Sequence, residues 1–217
     1  DNPVVVAYEL MVEPNNNELI PTPSYDPEEF YAQYRDSLYD WNQLYPRLVE
    51  AIRSVDTTTP ILVGGSSYSA VSWLPYIDPL EAERIVYVVH QYEPQASYSH
   101  QEPAGTNAYP GLLDLDDDGE LDEFDRDWLQ TLLTTVFDYS NGNDVPVVVN
   151  EFGAERWVPG AAQYVTDHIE FFEELGVNHA VWEWQTSWPA FFEEVHSMDY
   201  RLGPDPDNRT PVENELM

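Results

Sequence analysis

The sequence predicts an α/β fold built on a parallel sheet, and two observations carry that prediction. Apolar β-branched runs alternate with amphipathic helical stretches along the 217 residues. The run at residues 147–149 shows no polar alternation, which is typical of a strand covered on both faces. Strand and helix alternate through five strands, an order typical of parallel α/β architecture. Five units are too few for a closed eight-stranded barrel, so we expect one incomplete domain over residues 1–217.

The individual elements follow from local patterns in chain order. An apolar run over residues 4–12 predicts the first strand, and apolar side chains at spacings of three and four predict a long helix over residues 28–53. Pro46 predicts a kink or break within that helix. Further strands are predicted at 61–65, 85–89, 147–151 and 179–184, and further helices at 70–76, 125–139 and 161–175, the last stopped by Gly176. Residues 95–113 are predicted as an extended loop and 200–217 as an irregular tail.

The charge of the chain restricts its partners. Asp and Glu number 41 against 8 basic residues, all of them arginine, and the formal net charge is −33. Nucleic acid is a poor partner, because phosphate binding needs clustered cations. An acidic surface without lysine favours a protein that stays soluble where salt screens its self-repulsion, which indicates a halophilic source. We expect an extracellular location in a saline environment. An acidic secreted enzyme without salt adaptation is the alternative.

The chain has no cysteine, so it has no disulfide framework. It contains no apolar run near the roughly 20 residues that span a bilayer, and no signal peptide pattern. Because it begins at Asp1, directly before a predicted strand, we expect that its N-terminus has been trimmed.

Two glutamates stand where predicted strands end. Glu151 closes the apolar run at 147–149, and Glu13 closes the run at 4–12. In parallel barrels the catalytic groups lie at the C-terminal ends of the strands. Two carboxyl groups are the minimum equipment of a glycosidase, so this pair is the first candidate active site.

Four motifs carry a resemblance to a known family. They are residues 8–14 (YELMVEP), 90–94 (HQYEP) with 99–101 (SHQ), 149–153 (VNEFG) and 181–184 (VWEW). In this order they resemble strands four, six, seven and eight of glycoside hydrolase family 5, the cellulase family. The resemblance implies a partial (β/α)8 TIM barrel that comprises about five of the eight strand–helix units.

The resemblance also implies a reaction. It gives Glu13 the role of general acid/base and Glu151 that of nucleophile in a retaining, endo-acting β-glycanase, with β-1,4-glucan as the expected substrate and mannan or xylan as alternatives. Such enzymes hold the two carboxyl groups about 5–5.5 Å apart and need no cofactor for catalysis. The chain departs from the family at Val12, where the family has an asparagine that holds the sugar 2-hydroxyl. A non-catalytic carbohydrate-binding or assembly module is therefore the alternative function.

Several further residues are expected to contact the substrate. His90 and Tyr92 are spaced by two and so share a strand face, and the resemblance makes them substrate- and nucleophile-positioning residues, with Tyr92 close to Glu151. Trp182 and Trp184 are also spaced by two, where the family keeps a sugar-stacking tryptophan. Trp157, in a neighbouring loop, is expected to widen that platform. The alternatives are a structural histidine and tryptophans that only pack.

An acidic stretch has the spacing of a calcium-binding loop. Acidic side chains occupy loop positions one, three, five, nine and twelve, with Gly119 at position six and an apolar residue at position eight. The candidate ligands of a structural Ca²⁺ are Asp114, Asp116, Asp118, Glu120, Asp122 and Asp125. In a chain this acidic, a chance acidic run is the alternative.

The number of predicted strands bears on assembly. An open five-stranded parallel sheet leaves two edges and an apolar inner face uncovered. We therefore expect a homo-oligomer, most simply a dimer, or a missing N-terminal segment that covers the sheet.

Overall fold

A computed structural model describes residues 4–116, 118–183, 195–198 and 202–208. Within these ranges the strands are β1 (Tyr8–Glu9), β2 (Ile61–Gly64), β3 (Ile85–Gln91), β4 (Gly111–Leu113), β5 (Asp122–Phe124), β6 (Val147–Phe152) and β7 (Asn178–His179). The helices are α1 (Pro27–Tyr34), α2 (Tyr45–Arg53), α3 (Ser66–Ser69), α4 (Arg126–Asn143) and α5 (Ala161–Leu175).

The strand order confirms the predicted α/β class. Five strands form one sheet in the order β1-β2-β3-β6-β7, and β4 and β5 form a separate antiparallel pair. β1, β2 and β3 pair in parallel, with Ile61 opposite both Tyr8 and Ile85. The carboxyl ends of these three strands therefore lie at one edge of the sheet, and Glu13 follows the end of β1.

Contacts divide the chain into two compact units. The first comprises Asp1–His90 with Leu132–Val149, and the second comprises Gln91–Thr131 with Asn150–Met217. In the first unit, Phe30 and Tyr31 of α1 pack on Trp73 with ring centroids 5.4 and 5.9 Å apart. Ile61 and Tyr87 of the strands are fully buried. Burial of side chains of this size stabilises the fold by about 1.5–3 kcal/mol each.

The second unit has an aromatic core of its own. Tyr98 and Phe124 meet edge-on with centroids 4.8 Å apart, and Tyr109 and Tyr164 do so at 5.3 Å. The Tyr109 hydroxyl donates to Asp167 Oδ2 over 2.7 Å, so this buried polar tip is satisfied. The segment predicted as an extended loop at 95–113 contributes Tyr98 and Tyr109 to this core, and it contains a π-helical turn at Gln95–Ser99 as well as β4.

The long helix predicted over residues 28–53 is two helices. α1 ends at Tyr34, Asp36 adopts a left-handed backbone with φ of 63°, and α2 begins at Tyr45. Pro46 does not cause the break, because it lies in the first turn of α2, where its missing N–H has no helical partner to lose. Leu38, an apolar residue within the predicted helix, is fully exposed in the connection between α1 and α2.

The ends of the sheet are shorter than predicted. Of the run at 4–12, only Tyr8–Glu9 pairs with β2, and Val4, Val6 and Met11 are exposed. Within the described part of the predicted strand at 179–184, only His179 is in a strand, as the end of β7 (Asn178–His179). An edge strand has a neighbour on one side only, so an apolar run is not enough to extend it.

The two long helices follow their predictions closely. α5 has the predicted bounds, with Tyr164 and Phe172 buried and Gly176 in the left-handed conformation that ends a helix. α4 begins after Asp125 and extends to Asn143, and Phe137 on it is 40% exposed. In the part of the chain that the structure describes, no helix is both long and apolar enough to cross a bilayer.

Candidate active site

Glu13 lies in the connection that follows β1 and is held by a histidine of β3. His90 Nδ1 lies 2.9 Å from Glu13 Oε1, and the side chains are 1% and 34% exposed. The backbone of His90 forms an isolated parallel bridge with Ala70. An ionised Glu13 can only accept a hydrogen bond, so the contact then requires the His90 tautomer with a proton on Nδ1. The carboxyl group thus has one buried partner and an open side.

The backbone at Glu13 is itself unusual. Its φ is 56°, a left-handed conformation that costs a non-glycine residue about 1–3 kcal/mol. Strain of this kind persists where the surrounding structure holds it, and it clusters at functional sites. The strained backbone and the His90 contact together define the direction of the Glu13 carboxylate.

Glu151 belongs to β6, whose sequence explains its placement. Val147, Val149 and Phe152 are buried, and Glu151 is half-buried at the carboxyl end of the strand. The Tyr92 hydroxyl donates to Glu151 Oε2 over 3.0 Å, and Tyr92 is itself buried. A hydrogen bond to an ionised carboxylate is a charge-assisted one, and it fixes the orientation of the group that receives it.

The tryptophans expected to stack on sugar differ in their placement. Trp182 is 40% exposed, and its backbone N–H donates to Phe152 O over 2.8 Å. Gly153 permits this approach, because a Cβ on that residue would lie 2.4 Å from the Trp182 carbonyl oxygen. Trp184 lies outside the described residues.

Trp157 does not form the open platform that we expected. Its indole is buried, and Nε1 donates to Gln101 O over 2.9 Å. The loop after β6 folds back on the loop after β3, so the tryptophan packs between them and presents little surface to a sugar. Val12, at the position where the family that the sequence motifs resemble has an asparagine, is 58% exposed and has no polar side-chain atom to offer a ligand.

With these residues in place, comparison with known proteins identifies the family. The family described as cellulase (glycosyl hydrolase family 5) matches residues 1–187. The chain belongs to glycosyl hydrolase family 5. Endoglucanase C of Acetivibrio thermocellus is 24% identical over 205 residues, which cover 82% of this chain and 54% of that relative. Endoglucanase 3 of Fibrobacter succinogenes is 25% identical over 173 residues, which cover 65% of this chain and 26% of that relative.

Solved structures show the fold of this family 5 chain. Thermotoga maritima Cel5A, in complex with cellobiose, aligns with a TM-score of 0.64 at 18% identity, over 88% of this chain and 58% of that one. A structure described as a glycoside hydrolase aligns with a TM-score of 0.61 at 20% identity, over 94% of this chain and 56% of that one. The chain spans about half the length of these proteins, and it forms the corresponding part of a (β/α)8 TIM barrel.

The acidic stretch of this family 5 chain forms the connection of a β-hairpin. β4 and β5 flank it, and Asp114, Asp116 and Asp118 bring carboxylate oxygens within 4.8 Å of one another. The other three predicted ligands lie outside this group. Asp122 begins β5, Glu120 is exposed, and Asp125 Oδ1 accepts from two backbone N–H groups at the start of α4. The sequence pattern did not reveal that Asp125 caps a helix.

Sequence reasoning missed two titratable groups near Tyr92 and Trp157. His196 packs against the Tyr92 ring with centroids 5.7 Å apart. Glu155 follows β6, and its backbone N–H donates to Ser99 O over 2.9 Å. Neither residue lies in a periodic pattern, and their partners are distant in sequence, so only the fold brings them into view.

Glu155 gives a pH dependence that can be measured. Burial, and then the nearby Glu102 carboxylate, raise the pKa of Glu155 from 4.5 to about 7. Between pH 4.5 and 7 the unfolded chain loses this proton while the folded chain keeps it, so stability falls as pH rises through that window. Ionisation of Glu155 should lower the free energy of unfolding by on the order of 1 kcal/mol, a figure discounted because the side chain is partly exposed. We expect Glu155→Gln to abolish this decrease.

Denaturant midpoints at pH 5 and pH 8 measure this effect. The difference between the two midpoints should be smaller in Glu155→Gln than in the unmodified chain. Glu29→Gln, at an exposed position of α1, is the matched control and should keep the full difference. Equal differences in all three proteins would show that Glu155 titrates normally.

Proposed function

We propose that this family 5 chain is a retaining, endo-acting β-glycanase whose substrate is a β-1,4-glucan. The observation that carries the proposal is Glu151 at the end of β6 with the Tyr92 hydroxyl on its carboxylate, in a chain of the cellulase family. The relatives named above are endoglucanases, which supports glucan as the substrate. A polymeric substrate also favours action outside the cell, in keeping with the acidic composition.

In the proposed reaction the carboxylate of Glu151 attacks the anomeric carbon. The glycosidic C–O bond breaks, and Glu13 gives its proton to the departing oxygen, which leaves a glycosyl ester on Glu151. Glu13, now ionised, then takes a proton from water as the water oxygen attacks the same carbon and the ester bond breaks. Each role is distinct, because Glu151 acts as an anion in the first step and Glu13 acts as an acid.

The neighbouring residues support these roles individually. His90 holds the Glu13 carboxyl by its 2.9 Å contact and leaves one side of it open to a leaving group. Tyr92 fixes the orientation of Glu151. Trp182 is 40% exposed, and an exposed tryptophan suits the apolar face of a sugar ring.

The proposal is tested by assaying the chain on soluble polysaccharides. Carboxymethylcellulose, mannan and xylan are incubated separately, and reducing ends, product lengths and the anomeric form of the first product are measured. We expect release of oligosaccharides with retained anomeric configuration, fastest on the glucan. Binding to cellulose without turnover at any salt concentration would overturn the proposal and favour a non-catalytic binding module. The observation that favours such a module is Val12, which stands where the family has a hydrogen-bonding asparagine.

We also propose that residues 114–125 bind a structural calcium ion. The three grouped carboxylates are the kind of oxygen ligand that Ca²⁺ prefers, and Gly119, with φ of 88°, turns the chain directly after the last of them. The hairpin β4–β5 holds both ends of the loop, so an ion there ties the loop to the strand that precedes α4.

Calcium removal is expected to lower the melting temperature. An ion that binds only the folded state stabilises it by mass action, so a chelator should reduce Tm by several degrees and added Ca²⁺ should restore it. Asp116→Asn should show a smaller response, whereas Asp138→Asn, an exposed position on α4, should respond like the unmodified chain. Identical melting curves with chelator and with Ca²⁺ would remove the site.

A further inference from the structure

Two histidines enclose the ring of Tyr92 in the second unit. The centroid of Tyr92 lies 4.9 Å from that of His100, nearly perpendicular to it, and 5.7 Å from that of His196. The two imidazoles are themselves 4.7 Å apart, so each of the three rings contacts the other two. Tyr92 and His196 are each 8% exposed, which leaves the tyrosine ring little room to change rotamer.

His100 is held from the backbone beside Tyr92. The Ser99 hydroxyl donates to Tyr92 O, and Ser99 Oγ lies 2.9 Å from His100 Nδ1. Because the hydroxyl has one hydrogen and a carbonyl can only accept, the second contact requires His100 to donate from Nδ1. Ser99 therefore links the imidazole of His100 to the backbone of Tyr92, whose ring that imidazole contacts.

The backbone around His196 is held by hydrogen bonds to two other segments of the chain. Its carbonyl oxygen accepts from Glu183 N over 3.4 Å, and Met198 N donates to Glu183 O over 2.9 Å. The preceding residue, Val195, accepts from Arg156 N over 2.9 Å. Burial and the neighbouring His100 lower the pKa of His196 to about 3, so it packs as a neutral ring near neutral pH.

We propose that His196 is a positioning residue that, together with His100, clamps Tyr92 so that its hydroxyl stays on Glu151; this inference rests on the proposed function. The Tyr92 hydroxyl reaches Glu151 Oε2 only while the ring keeps its present rotamer. Removing the His196 ring would allow the Tyr92 side chain to occupy other rotamers. The hydrogen bond to Glu151 would then have to offset the additional conformational entropy. A nucleophile that is oriented for only part of the time reacts more slowly.

Kinetics on a soluble β-glucan test the clamp. His196→Ala should lower kcat about 10-fold with KM within about two-fold, because the loss falls on the orientation of the nucleophile. His196→Phe, which restores a ring of similar shape, should recover most of kcat. In a Tyr92→Phe background, which lacks the hydroxyl, His196→Ala should have little further effect on kcat, since both changes act through one hydrogen bond. His179→Ala, which removes an imidazole that contacts Phe152 and Phe172, is the matched control.

A readout independent of activity separates this inference from the proposed function. In protein with labelled tyrosine, NMR measures the flip rate of the Tyr92 ring, which His196→Ala should raise and His196→Phe should return toward the original rate. A chain that hydrolyses no glycan but shows this pattern loses the proposed function and keeps the clamp. Unchanged flip rates, or losses of kcat that add fully in the double variant, would overturn the clamp.

Discussion

Glu151→Gln is expected to abolish hydrolysis of soluble β-glucan, with kcat reduced by about 10⁴-fold or more. The amide has nearly the shape of the carboxylate, so β6 and its buried valines should remain in place. What the variant lacks is the anion that attacks the anomeric carbon, and no other step compensates for that loss. Reducing-end assays with long incubation, beside a melting curve for each protein, measure the effect.

Two controls define what this loss means. Tyr92→Phe keeps the carboxylate and removes only its hydrogen-bond donor, so we expect a loss of about 10-fold instead. Asp138→Asn removes a carboxylate from the exposed surface of α4 and should hydrolyse at the original rate. If Glu151→Gln retained more than a few per cent of the activity at an unchanged Tm, Glu151 would not be the nucleophile.

The sequence predicted some elements well because their determinants are local. α5 carries its apolar stripe and its Gly176 stop within the same fifteen to sixteen residues, and both of its bounds were predicted. The break between α1 and α2 was misplaced, because the left-handed turn at Asp36 depends on contacts that no local pattern announces. The length of β1 likewise depends on its neighbours in the sheet.

The same distinction applies to the candidate site. Glu13 and Glu151 stood out because each closes an apolar run, and the spacing of His90 and Tyr92 placed both on one strand face. No sequence pattern marks His196, because its proposed role depends on its contacts with Tyr92 and His100, about a hundred residues earlier in the chain. The burial of Trp157 could not be predicted from the sequence either, because it depends on the contact between the loop after β6 and the loop after β3.

The effect of Glu13→Gln is expected to depend on the leaving group of the substrate, and this dependence distinguishes the role of Glu13 from that of Glu151. On a β-glucan the departing sugar oxygen needs a proton, so loss of the general acid should lower kcat by about 10²–10⁴-fold. An aryl glycoside with a strongly acidic phenol needs no such proton, so its first bond cleavage should proceed at nearly the original rate. A burst of phenol followed by slow turnover is expected, because the glycosyl ester then waits for water without a general base.

Azide provides the decisive comparison between the two variants. As a small anion it attacks the glycosyl ester without giving up a proton, so it should accelerate turnover of Glu13→Gln and yield a glycosyl azide of retained configuration. Glu151→Gln forms no ester and should show neither a burst nor a retained azide product. Glu29→Gln should behave like the unmodified chain on both substrates. A Glu13→Gln variant that loses the aryl glycoside and the glucan equally would contradict its role as the acid, because a structural loss does not depend on the leaving group.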